Sequence, residues 1–187
     1  MSKDALKGCR IAILATNGFE QSELMKPKQM LEDAGATTEV IAPGDDDRIK
    51  GWNHGEWGES IKVDVPLDKA RAGDYDALVL PGGVINPDKL RLHDEAIDFV
   101  RDFGRTGRPL AAICHGPWTL INANLVRGKR LTSWPSLRVD LENAGAEWVD
   151  REVVESGMLI TSRKPDDIPA FTQALIRALQ ERRAKAA

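Results

Sequence analysis

The stretch Leu110-Ala-Ala-Ile-Cys-His-Gly-Pro117 is an apolar run that stops at a cysteine, turns through glycine and proline, and opens into helix-forming sequence. A brief apolar run closed by turn formers reads as a strand buried on both faces. Gly116 lets the backbone approach closely, and Pro117 suits a first helical turn. A sharp strand-to-helix turn presents the intervening side chain above the sheet, which is the elbow geometry of hydrolase nucleophiles. The first amides of the following helix point at the same place, so the Cys114 thiol pKa is expected to fall. A free cysteine is also commonly a small buried apolar residue. The turn distinguishes Cys114 from that reading, whereas Cys9 opens a strand with neither turn nor histidine beside it and reads as structural.

Outward from this elbow the chain alternates short apolar runs with longer amphipathic ones. Strands are expected over 10–15, 38–41, 77–80 and 109–113, and helices over 21–34, 95–106, 116–122, 137–144 and 167–179. Pro27 should kink the first helix or fall in an early turn. Strands alternating with helices imply an α/β fold, a three-layer sandwich with a mostly parallel, flavodoxin-like central sheet. The segment 45–64 carries three glycines and two tryptophans and resembles a hairpin more than a crossover. No linker or repeat interrupts the pattern, so one domain over 1–187 is expected.

Composition narrows the function classes. Net charge is −3, with 26 basic and 29 acidic residues well mixed, which leaves no basic stripe for nucleic acid. The basic tail Arg182-Arg183-Ala-Lys185 reads as a frayed helix end. No run reaches the roughly 20 apolar residues of a membrane span. The opening Met-Ser-Lys-Asp-Ala-Leu-Lys-Gly has no apolar core, so the expected location is the cytoplasm. Two distant cysteines make no disulfide framework, and three scattered histidines show no metal-ligand spacing. Neither a metal nor another cofactor is expected.

In an open α/β sheet, ligands sit beyond the carboxyl ends of the strands. Three loops leave strands there: Asn17-Gly-Phe-Glu20, Pro81-Gly-Gly-Val-Ile-Asn-Pro-Asp88 and Cys114-His-Gly-Pro117. His115 is placed either to accept the thiol proton or to donate its backbone N–H to an oxyanion. Glu20 opens a helix, where a carboxylate serves the dipole or, facing Cys114, relays a proton with a raised pKa. Gly82 and Gly83 expose backbone amides after a strand, a natural oxyanion nest.

Together these loops resemble the PfpI family, within the class I glutamine amidotransferase-like superfamily that also holds the Parkinson's-disease-associated deglycase. The resemblance spans about 10–179 and rests on Gly18-Phe-Glu20, Asp76-Ala-Leu-Val-Leu-Pro-Gly-Gly83, Ala112-Ile-Cys-His-Gly-Pro117 and Asn143-Ala-Gly-Ala-Glu-Trp-Val-Asp150. It implies that Cys114 is the nucleophile, Glu20 the carboxylate contacting its sulfur and His115 the adjacent histidine. Gly83 and the His115 backbone would form the oxyanion site. Protease-type members add a carboxylate from a proline-acid pair that reaches a neighbouring subunit's histidine. Pro87-Asp88 matches that pair, with aspartate where glutamate is expected. The resemblance also implies a homodimer or larger homo-oligomer, with the 45–64 hairpin as a candidate contact. A glutamine amidotransferase triad is excluded, because no histidine follows His115.

Three activities fit one activated thiol. The first is a glyoxalase III or deglycase type of enzyme that takes methylglyoxal to lactate without glutathione. The second is an intracellular cysteine peptidase acting on peptides. The third is a redox sensor or holding chaperone of a stress response, since an accessible thiol beside a carboxylate oxidises readily. Trp52, Trp57 and Trp134 either line the cleft or fill space behind it.

Overall fold

The computed structural model describes residues 4–186. In chain order the elements are β1 (Arg10–Leu14), β2 (Phe19–Glu20), α1 (Gln21–Asp33), β3 (Thr37–Ala42), β4 (Arg48–Asn53), β5 (Glu56–Lys62), β6 (Val65–Pro66), β7 (Ala77–Leu80), α2 (Ile85–Leu90) and α3 (Asp94–Arg105). There follow β8 (Leu110–Ile113), α4 (Pro117–Asn122), β9 (Arg130–Leu131), α5 (Arg138–Asn143), β10 (Glu147–Trp148), β11 (Val153–Ser156), β12 (Leu159–Ser162) and α6 (Ile168–Ala186). Met1, Ser2 and Lys3 of the N-terminal segment read above, and Ala187, lie outside the described residues.

Seven strands form the central sheet in the order β11-β12-β8-β7-β1-β3-β6, parallel except for the antiparallel β11–β12 pair. Alternation along each strand divides the core between the two faces. Ile11, Ile13, Val79 and Ile113 join the core beneath α1 and α6. Ala12, Leu14, Leu78 and Ala112 join the opposite core with Phe103 of α3 and Leu120 of α4. Phe171 and Phe103 are fully buried, one in each core, and truncation of either to alanine should cost about 3–5 kcal/mol. The edge strand β6 contains Pro66, which has no N–H to offer a further neighbour.

The strands and helices expected from periodicity are present, and 45–64 is an antiparallel hairpin of β4 and β5. α1 continues through Pro27. The basic tail is not frayed within the described residues: α6 is helical to Ala186, and Arg183 reaches the Cys9 sulfur at 3.7 Å. The short strands β2 and β6 and the separate β9–β10 pair were not anticipated, nor were two larger features. β11 and β12 extend the sheet beyond β8, and Ile85–Leu90, read as loop, is a short helix. No helix among the described residues is long and apolar enough to cross a membrane.

From β1 the chain moves outward to β3, then returns to build β7, β8 and β12 on the other side. The order therefore reverses between β1 and β7, and a crevice opens at their carboxyl ends. The three loops singled out in the sequence meet there.

Candidate active site

Cys114 has φ +61, a left-handed backbone conformation that is costly for a residue with a side chain. The strain is held from both sides. Its N–H donates to Ser162 O at 3.0 Å on β12, and its carbonyl accepts from Trp134 N–H at 2.9 Å. The turn closes with Gly116 N–H donating to Ile113 O at 2.9 Å. This is the elbow expected at the end of β8.

The carboxylate beside the sulfur is Glu23, not Glu20. Glu20 precedes α1, is half-buried at the cleft wall and accepts from Ser22 Oγ at 3.1 Å. Glu23 lies one helical turn later and is fully buried. Its Oε2 accepts the Gly82 N–H at 2.9 Å, and its carboxyl group interacts with the Cys114 thiol. Three residues apart at the helix start, both carboxylates reach the same cleft, and Glu23 is the deeper of the two, buried beneath the glycine loop. The sequence carried a signal for this. Glu23, Pro27 and Leu31 form the buried i, i+4, i+8 stripe of α1, and a glutamate in an apolar stripe calls for a partner.

Of the paired glycines, only Gly83 offers its amide to the sulfur. The backbone N–H groups of Gly83 and His115 both hydrogen-bond Cys114. The Gly82 amide is committed to Glu23, so its expected place in the oxyanion nest is corrected to a support for the carboxyl group. A Cβ at Gly82 would lie 2.5 Å from Glu23 Oε2 and 2.7 Å from Cys114 Cβ. Gly83 has φ +81, and a Cβ there would sit 2.6 Å from Gly18 O. Both positions therefore need glycine, one for space and one also for conformation.

The expectation of a lowered thiol pKa is overturned. Burial pushes the Cys114 thiol up, the neighbouring Glu23 charge adds to this, and the Gly83 and His115 amides oppose it without prevailing. Burial first, and the charge of Glu20 second, push the Glu23 carboxyl up to about 8. Two adjacent buried anions repel strongly, so the doubly ionised pair is disfavoured and the Glu23 carboxyl, raised to about 8, carries a proton near neutral pH. When Glu23 carries it, its charge no longer opposes a thiolate, and its O–H becomes a donor.

His115 Nδ1 lies 3.2 Å from Cys114 Sγ, and burial lowers the imidazole pKa, favouring the neutral ring. Trp118 packs edge-on against this ring at 5.2 Å, and Trp134 stacks at 6.3 Å. Asp88 is not brought to this site within its own chain. It is exposed on α2 and absent from the cleft wall.

Above the sulfur lies a cleft of about 330 Å³ lined by Glu20, Glu23, Trp52, Gly83, Val84, Cys114, His115, Trp134 and Pro165. Trp52 and Trp134 thus line it, while Trp57 backs Trp52 edge-on at 5.4 Å. Sequence reading also missed Asn86. It is fully buried, accepts Thr16 N–H at 2.8 Å, and donates to Pro81 O at 3.0 Å and Gly82 O at 3.3 Å. Among the described residues, no group of three or more His, Cys, Asp or Glu side chains is placed to hold a metal ion.

The model of the DJ-1/PfpI family matches residues 9–178. General stress protein 18 of Bacillus subtilis is 41% identical over 175 residues, covering 93% of this chain and 99% of the relative. Protein/nucleic acid deglycase 2 of Escherichia coli is 42% identical over 171 residues, covering 91% and 97%. A crystal structure of a two-domain Anabaena variabilis protein with DJ-1/ThiJ/PfpI-like and ferritin-like domains superposes with TM-score 0.86 at 36% identity. The match covers 91% of this chain and 48% of that one.

Proposed function

The chain belongs to the DJ-1/PfpI family, and we propose that it is a cysteine-dependent enzyme acting on small reactive aldehydes, taking methylglyoxal to lactate without glutathione. The observation that supports this reading is the Cys114–Glu23 pair, a thiol and a buried carboxyl group facing one cleft. The sulfur of Cys114 attacks the aldehyde carbon, forming a C–S bond. The S–H bond breaks and its proton passes to the aldehyde oxygen, giving a hemithioacetal, with the Gly83 and His115 amides stabilising the developing charge.

Glu23, as carboxylate, then removes the proton from the former aldehyde carbon, and the electron pair flows to the adjacent ketone oxygen through an enediol. Returning a proton to the adjacent carbon leaves a lactoyl thioester on Cys114. Water adds to the thioester carbonyl, the C–S bond breaks, and lactic acid and the thiol are released. The sum is methylglyoxal plus water to lactate, with no external oxidant or reductant.

The cleft supports this substrate class. Its volume fits a molecule of a few heavy atoms, its apolar walls are Trp52, Trp134, Val84 and Pro165, and its lining contains no lysine or arginine. An aldehyde held reversibly on an amine or thiol is drawn off as free aldehyde is consumed, and the Escherichia coli relative is named a protein/nucleic acid deglycase. The test is lactate formation from methylglyoxal in glutathione-free buffer. Wild type should produce lactate and Cys114→Ala should produce none above the uncatalysed rate. Equal lactate production by both proteins would refute the proposal.

A further inference from the structure

Asn86 is a buried polar side chain outside the reacting groups, yet its three hydrogen bonds all end on the loops that build the site. Its Oδ1 accepts the Thr16 N–H in the loop after β1, at 2.8 Å. Its Nδ2 donates to Pro81 O at 3.0 Å and Gly82 O at 3.3 Å in the loop after β7. One side chain thus joins the two loops across the point where the strand order reverses.

The bond to Gly82 O has a particular consequence. The Gly82 carbonyl and the Gly83 N–H belong to one peptide unit, which is trans like every other peptide bond described. In a planar trans peptide the C=O and N–H point in opposite directions, so anchoring the oxygen aims the hydrogen. Gly82 O is held by Asn86 Nδ2 and also accepts the Glu20 N–H at 3.1 Å. The opposite end of the unit, the Gly83 N–H, meets the Cys114 sulfur. Two successive glycines are otherwise the place where a peptide unit flips most easily, since neither has a side chain to resist it.

We propose that Asn86 is the positioning residue of the thiol site, locking the Gly82–Gly83 peptide unit so that the Gly83 amide faces Cys114 while the Gly82 amide supports Glu23. Asn86 touches neither sulfur nor substrate in this role; it acts through the backbone. The inference rests on Cys114 being the reactive thiol. It does not require the aldehyde to be the substrate, and its test uses none.

The test is the pH profile of Cys114 carboxamidomethylation by iodoacetamide, followed on the tryptic peptide by mass spectrometry. The Asn86→Ala variant frees the peptide unit, and the thiolate loses one aligned donor. Its profile should move to higher pH by about one unit, with a roughly tenfold slower reaction near pH 7. Thr172→Val is the stability control, because it removes a buried hydrogen bond from Thr172 Oγ1 to Ile168 O within α6. It should lower the Tm and leave the Cys114 profile in place.

Should Asn86→Ala not fold, Asn86→Ser keeps a hydroxyl in the cavity and should show a smaller upward shift. A Cys114 profile that superposes on wild type in a folded Asn86 variant, with a lowered Tm as in Thr172→Val, would overturn the proposal. A profile shift in Thr172→Val as large as that in the Asn86 variant would overturn it too.

Discussion

The two cysteines of this chain sit at opposite ends of the same sheet. Cys9 precedes β1 at the amino edge, and Cys114 follows β8 at the carboxyl edge. Both are buried, at 3% and 8% exposure, and burial raises the thiol pKa of both. Accessibility and pKa direction therefore do not separate them. Their surroundings do. Cys9 packs in the core with the Arg183 guanidinium at 3.7 Å. Cys114 occupies a strained left-handed turn, receives two backbone N–H donors, faces a buried carboxyl group and borders a cleft. What sets Cys114 apart is therefore its backbone donors, its carboxyl neighbour and the open cleft beside it, not a fall in thiol pKa.

The sharpest way to break the comparison is to remove each thiol in turn. Cys114→Ser should lower methylglyoxal turnover by roughly 10³-fold or more, as expected when the group that forms the covalent bond is lost. Gly82→Ala comes next. Its methyl group would push against both Glu23 and Cys114, and a loss of about 10²-fold or more in kcat is expected from misplacing reacting groups.

Glu23→Gln should follow at about 10²-fold in kcat, the scale of a positioned acid–base group, with the fold retained. The same variant tests the electrostatics. The Glu23 pKa rises from the ordinary 4.5 to about 8 on folding. Between those values the folded state keeps a proton that the unfolded state has released, so stability falls as pH rises through this window. The Tm of Glu23→Gln should accordingly be flatter than wild type between about pH 5 and 8, read by thermal unfolding across buffers. The smallest effect belongs to Cys9→Ala. Turnover should stay within about twofold while stability falls by about 1 kcal/mol.

Much of this was legible in the amino acids. Apolar runs such as Ile11-Ala-Ile-Leu14 and Leu110-Ala-Ala-Ile113 are buried on both faces and needed no tertiary information to be read as strands. β12 escaped because Leu159-Ile-Thr-Ser162 is only half apolar, and its hydroxyl groups are buried at the strand's end. α2 escaped because Asn86-Pro87-Asp88 is strong turn chemistry, which the packing of Asn86 beneath the glycine loop outweighs.

The site divides in the same way. Cys114, His115 and Gly83 were visible because turn chemistry is local. Glu20 draws attention by its place after the Gly18-Phe19 turn, whereas Glu23 is found only by following the phase of α1. The buried stripe Glu23, Pro27, Leu31 is the feature that decides between them. The fall expected for the thiol pKa failed for a different reason: helix-start amides can be read from sequence, but the depth of burial that outweighs them cannot.

The most direct measurement is competitive labelling of the folded protein by a trace of iodoacetamide at neutral pH, with the two cysteine peptides quantified separately, with and without methylglyoxal. With Cys114 as the reacting thiol, label should accumulate on Cys114 far faster than on Cys9, and methylglyoxal should suppress the labelling of Cys114 alone. Equal labelling of the two thiols, or labelling of Cys114 that methylglyoxal leaves unchanged, would contradict it.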